Sequence, residues 1–425
     1  MLGAGDAGRQ HGTDALSMQR ILVQGQGVFA ATFQLSLASE DRAHGRGARL
    51  RVDAPCVRTV AWQSTQRAAL SRSPGLDPMA STTVFATCFL PDGRHLLAAD
   101  SAGQVHLWEV DPLLQAQYWE AAPSGHKPAP VVSHQLHSCA IFSVCLLSDT
   151  VLLTGGDDCI KVWKIASLLP GQRQAPQPTS TLEHPQVQVG RGGRLPVSET
   201  NGLAVNASRT TVFSACGDGR AYAWDAATLQ IKDTFEGHTN YLHCVACQND
   251  DAIVTGSEDG TVRLWDARDP RESEEMASPV DSGSPPAWIG AVDIDPGGQW
   301  VAAGGGGRYV GMWHLPSRRF VAAMPTCGAV QALTFCDDKL VSGGAEPALS
   351  LWSRSGKLVG REKTPVDCTY TIASRALSLG RKNSGLEPRI AVAAGTSTDL
   401  AVLYRGGASF GFCLSSEAAG AGTRE

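Results

Sequence analysis

Polar and apolar positions alternate along this chain in short bursts of about six residues, and the bursts recur in a fixed order. The clearest set runs from residue 237 to 268. Tyr241 to Cys247 ("YLHCVAC") and Ala252 to Ser257 ("AIVTGS") each have strand length and strand-forming residues. A Glu258-Asp259-Gly260 turn follows, and Thr261 to Trp265 ("TVRLW") alternates polar and apolar as a half-buried strand must. The pattern therefore predicts strand, strand, Asp-Gly turn and strand, the last closing on Trp265-Asp266.

The same order returns along the chain. Strands are predicted to end at Trp108 ("GQVHLWEV"), Trp163 ("CIKVWKI"), Trp224 ("GRAYAWDAA"), Trp265, Trp313 ("YVGMWHL") and Trp352 ("ALSLWSR"), with a weaker unit at Tyr404 ("DLAVLYR"). Successive spacings are 55, 61, 41, 48, 39 and 52 residues. A four-stranded propeller blade of the WD40 type takes ~40–45. The two widest gaps coincide with Pro- and Gln-rich stretches at 111–132 and 166–194, which read as exposed inserts. The expectation is an all-β, seven-bladed WD40 propeller over residues 79–415. Its last blade should have strands near 375–379, 389–394, 399–404 and 407–413, without borrowing a strand from the N-terminus.

Within the best unit four polar residues have assignable structural roles. His238 can reach Asp259, Thr255 can bridge to the histidine, and the Trp265 indole N–H can donate to Thr255. Such a network would satisfy groups that each cost ~1–3 kcal/mol when buried alone. Glu258 is expected to face water. The unit ending at Trp163 offers His137, Thr154 and Asp157; the one ending at Trp224 offers Ser214 and Asp218 with no evident histidine.

Composition narrows the function classes. The net charge of -5 gives no electrostatic reason to expect tight binding to nucleic acid by this chain alone. No apolar run is long enough to span a membrane, and the start of the chain has no basic-then-apolar secretory signal. The twelve cysteines form no framework and read as small buried hydrophobes. Residues 1–78 hold nine Arg and no Lys, show no blade pattern and are expected to be a disordered extension; 416–425 should be a flexible tail.

Candidate chemistry fails on context. Gly407-Ala408-Ser409-Phe410-Gly411 matches a nucleophile elbow, but that motif needs a strand–turn–helix and here lies in a last strand. Cys244 and Cys247 sit three apart on a strand, so they face opposite ways, and no second cysteine pair stands at ligand spacing. Gly304 to Gly307 could cradle a phosphate, but no Gly-Lys-Ser/Thr follows. The expectation is no catalytic residue, no metal, no cofactor and no small-molecule substrate.

Particular residues go beyond a generic repeat. "GHTNYLHC" (237–244) running into "SEDGTVRLWDAR", "WIGAVD" (288–293), "VAAGGGG" (301–307) and "MWHL" (312–315) resemble the family of THO complex subunit 6, over about residues 82–414. The resemblance implies a non-enzymatic nuclear scaffold in a complex that couples transcription to mRNA processing and export, with other THO subunits as partners. A second resemblance points elsewhere. Trp265-Asp266-Ala267-Arg268 is similar to the W-D-x-R box of propellers that dock on the cullin-4 ubiquitin ligase adaptor. That would make Asp266 and Arg268 partner-binding residues of a substrate receptor, with a guanidinium emerging at the rim. The alternative is that Arg268 simply pairs with a nearby acid such as Asp266 or Asp269.

Overall fold

The computed structural model describes residues 19–24, 27–32, 82–110, 129–185, 188–189, 193–194, 198–247, 249–250, 252–276, 287–336, 338–364, 366–376, 389–396, 399–405 and 409–415. The chain divides into two units, Met1–Ala80 and Ser81–Glu425. In the first, Gln19–Gln24 pairs antiparallel with Gly27–Thr32, a hairpin that carries no blade pattern. The rest of the proposed disordered extension, and the tail from 416, lie outside the described residues.

The second unit is an all-β propeller. Its strands assemble into four-stranded antiparallel sheets in which each strand pairs with the next in sequence. The structure shows six such blades with their side chains rather than seven. Their innermost strands are Val84–Phe89, Ile141–Leu146, Thr200–Val205, Leu242–Cys247, Ile289–Ile294 and Val330–Cys336. A further four-stranded sheet is described in its backbone pairing, with most of its side chains outside the described residues. Its strands are Thr369–Ala376, Arg389–Gly395, Asp399–Arg405 and Ser409–Ser415. The first of these begins six residues before the expected 375. All four come from the C-terminal sequence, and Thr369–Ala376 packs directly on Val84–Phe89. At that seam the Thr371 hydroxyl accepts from the Thr87 backbone N–H at 3.1 Å and the two hydroxyls meet at 3.0 Å. Phe85 lies between Phe142 and Tyr370, with ring centroids 5.3 and 5.4 Å away.

The two expected inserts fare differently. Residues 111–128 are outside the described residues. Residues 166–194 are not one exposed loop, because they contain Ser180–Leu182, the outer strand of the blade that closes on Trp163. The Pro/Gln-rich stretch only delays that strand. Leu168 and Leu182 turn inward and are buried.

The core lies between blades. Leu97, Val105 and Leu107 of one blade cluster with Ile141, Leu152 and Trp163 of the next. Leu153 and Val162 meet Leu203, Val212 and Trp224, and Phe213 and Ala221 meet Ile253 and Trp265. Val254 and Leu264 meet Val301 and Trp313, and Ala302 and Met312 meet Leu340 and Trp352. Each tryptophan therefore presents its ring to the preceding blade. Aromatic rings bury large area at low entropic cost, which suits a position that must fill the wedge between twisted sheets.

Every innermost strand also carries the same irregularity. A register shift follows its first residue, at Val84/Ala86, Ile141/Ser143, Thr200/Gly202, Leu242/Cys244, Ile289/Ala291, Val330/Ala332 and Thr369/Thr371. A bulge bends its strand and re-aims the side chains beside it. The residue opposite the bulge is often glycine, and Gly305 shows why: a Cβ there would stand 1.8 Å from the Trp288 carbonyl oxygen. Gly304 and Gly305 thus belong to the strand Trp300–Gly305, not to a phosphate cradle. Gly305→Ala is expected to destabilise by ~2–4 kcal/mol, because backbone and not a flexible side chain would have to move. A denaturation midpoint equal to that of the parent protein would contradict this close packing.

Candidate functional site

The four residues expected to form a network meet in one blade. Thr255 lies on Ala252–Ser257 and Trp265 on the neighbouring Val262–Asp266. His238 precedes the innermost strand, and Asp259 sits in the turn that follows Thr255. The Thr255 hydroxyl accepts from the Trp265 indole N–H at 2.8 Å and meets His238 Nε2 at 2.8 Å. His238 Nδ1 lies 2.9 Å from Asp259 Oδ2, which also accepts from the Thr239 backbone N–H at 2.9 Å. The second oxygen accepts from the Thr261 N–H at 2.9 Å and the Thr261 hydroxyl at 2.7 Å. Only 8% of the Asp259 side chain is exposed. Burial alone would raise its carboxyl; the bonds from His238, Thr261 and two backbone N–H groups outweigh that and hold it well below the usual carboxylate range.

The relay is not confined to this blade. Trp163 donates to Thr154 at 2.9 Å, and Thr154 meets His137 Nε2 at 2.7 Å. Trp224 donates to Ser214 at 3.0 Å, and Ser214 meets His184 Nε2 at 3.1 Å. His184 is the histidine that the Trp224 unit lacked in the sequence reading. It stands 30 residues before Ser214, inside the stretch read as an insert, and only the short strand Ser180–Leu182 marks the place. In the Trp163 blade the carboxylate nearest the histidine is Asp158, not Asp157, at 3.5 Å. The turn there is one residue shorter than the Asp259-Gly260 turn, but Asp158 keeps the same place, four residues after its hydroxyl, as Asp259 does after Thr255. Trp352 donates to Ser342 at 2.8 Å, while Glu346 pairs with Arg361.

Glu258 does not face water. Its carboxylate meets His243 Nε2 at 2.7 Å and is only 21% exposed. Arg268 does not project from the rim as an open handle either. Its Nε and Nη2 donate to the two oxygens of Asp266 at 2.9 Å each, and its backbone N–H donates to the same carboxylate. The side chain is 70% exposed, yet its fork is turned back on its own turn. That pairing holds the Asp266 carboxyl down at about 2. Asp269-Pro270 opens the outer strand Asp269–Glu275, a position where proline costs no ladder hydrogen bond.

The candidate chemistry resolves into structure. Cys244 Sγ points to the Gly256 carbonyl and Cys247 Sγ to that of Asn249, and burial pushes both thiols up to about 12. Ser409 opens the strand Ser409–Ser415, paired with Arg405, so no strand–turn–helix surrounds it.

Two segments, residues 129–164 and 229–266, match the "WD domain, G-beta repeat" family. They hold the Trp163 and Trp265 blades, the two whose histidine has a carboxylate beside Nδ1. Among curated proteins, human "THO complex subunit 6" is 28% identical over 330 residues, covering 74% of this chain and 87% of its own length. The Danio rerio homologue is 26% identical over 329 residues, covering 75% and 93%. The Arabidopsis thaliana protein of that name is 30% identical over 221 residues, covering 50% and 59%. Two blades of this chain match WD40 repeats, and most of the chain is similar to THO complex subunit 6. Each His–hydroxyl–Trp relay joins two neighbouring strands of one sheet to a histidine from the segment before that sheet.

Asp259→Ala is expected to destabilise by ~2–3 kcal/mol, since it removes a buried charged acceptor and strands several donors. Glu258→Ala, which loses one half-exposed partner, should cost less than half of that. Because the Asp259 carboxyl is lowered on folding, its contribution is present above pH ~4 and fades as pH falls below it. Equal denaturation midpoints for the two variants at pH 7, or a gap unchanged at pH 3, would contradict the assignment.

Proposed function

We propose that this protein is a non-enzymatic scaffold subunit of a nuclear THO complex acting in mRNA processing and export. The observation that carries the reading is the breadth of the similarity: it spans most of the propeller and most of the human relative, and is not confined to one repeat. A net charge of -5 agrees with RNA being held by other subunits. We read the sheet from Thr369 to Ser415 as the seventh blade of the propeller, because its innermost strand repeats the bulge of the other six and packs on Val84–Phe89. The ring would then close through side-chain packing and the Thr87–Thr371 contact.

No observation favours the ligase-receptor reading. An arginine engaged by both oxygens of Asp266 must break that fork before it can serve an adaptor.

Tagged protein recovered from nuclear extract should carry THO subunits with it, and Arg268→Ala should recover them equally well while melting within a few degrees of the parent. Recovery of a cullin adaptor without THO subunits would overturn the proposal. So would loss of THO subunits from a folded Arg268→Ala protein, which would place the assembly interface on this rim.

A further inference from the structure

The blade that closes on Trp163 differs from the one that closes on Trp265 at one point. His238 is closed on both ring nitrogens, with a carboxylate and a threonine hydroxyl 2.9 and 3.1 Å from Nδ1. His137 is held only through Nε2, on Thr154. Its Nδ1 is buried with no hydrogen-bond partner, since the nearest carboxylate oxygen, Asp158 Oδ1, is 3.5 Å away. Leaving such an atom unmatched is costly. Beside the gap stands Cys139, whose Sγ is 3.6 Å from the same Asp158 oxygen. His137 Nδ1, Cys139 Sγ and Asp158 Oδ1 all lie within 4.8 Å of one another.

Those separations have a chemical meaning. Tetrahedral zinc with ordinary Zn–N, Zn–O and Zn–S lengths sets its ligands about 3.4 Å apart for N···O and about 3.6 Å for S···O. Direct hydrogen bonds would draw the N···O pair to about 2.9 Å. The observed 3.5 Å N···O separation fits the first spacing and not the second, while the 3.6 Å S···O separation matches the metal spacing and also serves as an S–H···O contact in the metal-free site. We propose that His137, Cys139 and Asp158 form a binding site for a thiophilic divalent cation of the zinc class, with solvent as its fourth ligand.

The surroundings suit each role. Thr154 orients the imidazole from behind: when Nε2 donates to it, the Nδ1 lone pair points at the site. The Cys159 thiol, 3.3 Å from Asp158 Oδ1, helps to hold the carboxylate. Binding as the thiolate would displace the Cys139 thiol proton. One thiolate and one carboxylate then balance the dication. The Asp158 side chain is 47% exposed, which leaves an entry path and room for water. Residues 137 and 139 enter the innermost strand from the preceding blade, and Asp158 caps the turn of the next two strands. A metal here would pin that blade at its edge. The sequence reading assigned no metal, because a His-x-Cys pair with an aspartate nineteen residues on matches no familiar ligand motif.

Cobalt(II) titrated into the full-length protein should give one equivalent of a tetrahedral d–d spectrum with a thiolate-to-cobalt charge-transfer band, and zinc should displace it. Cys139→Ser should abolish the charge-transfer band and weaken zinc binding at least tenfold, measured against a chromophoric chelator. Asp158→Asn should weaken binding while keeping the band, which guards against a Cys139→Ser protein that fails to fold. Cys327→Ser, at an exposed cysteine elsewhere, should bind as the parent does. Affinity should rise with pH between 6 and 8 as the thiol proton becomes easier to displace. Absence of a charge-transfer band in the parent protein, or equal zinc affinity in parent and Asp158→Asn, would overturn the proposal.

Discussion

The tryptophan near the end of each blade's third strand has to do two things at once, and the propeller depends on both. Its ring fills the wedge between its own sheet and the preceding one, where Trp163, Trp224, Trp265, Trp313 and Trp352 each complete an interblade cluster. Its indole N–H is thereby taken out of water and must find an acceptor inside. In four blades that acceptor is a hydroxyl on the neighbouring strand, at 2.8–3.0 Å: Thr154, Ser214, Thr255 and Ser342. The apolar half of the residue joins blades and the polar half locks two strands within a blade. Neither glycine-rich turns nor alternating strands would supply that coupling alone.

The hydroxyl is the junction of these relays. In three blades it also meets a histidine from outside the sheet's inner strands, so one small side chain fixes a tryptophan, a histidine and the backbone turn beyond. Variation then falls around the histidine. Asp259 closes one relay firmly at Nδ1, the Cys216 thiol joins Ser214 at His184 Nε2 at 3.0 Å, and His137 Nδ1 opens toward Asp158 and Cys139. A shared support can thus carry different chemistry at its outer end without disturbing the blade.

Much of this was legible in the chain because large rings at a near-constant spacing leave few alternatives to a blade. Trp265 announces its strand, Asp259-Gly260 its turn, and His238 stands close enough to both to be assigned. What escaped notice depended on distance or on local competition. His184 belongs to a relay whose other members lie 30 residues later, beyond a Pro- and Gln-rich stretch that looks like surface loop. Asp158, and not Asp157, stands four residues after its hydroxyl as Asp259 does after Thr255, a match that the shorter turn hides when positions are counted back from the tryptophan. Arg268 looked like a rim handle, but an acid two residues before it offers a bidentate partner that no interface has to supply. Glu258 has the sequence appearance of a solvated turn residue, and only the folded sheet brings His243 to it.

The claim that the hydroxyl is the junction of the blade is tested most directly at Thr255. Thr255→Val keeps the shape and removes only the oxygen, leaving the Trp265 indole and His238 Nε2 without their shared partner. The account predicts a loss of ~2–4 kcal/mol in a reversible denaturation experiment, the sum of two stranded buried groups. It also predicts strong non-additivity with Trp265→Phe, which removes one of those groups beforehand. A Thr255→Val protein within a few tenths of a kcal/mol of the parent, with the two changes simply additive, would contradict it.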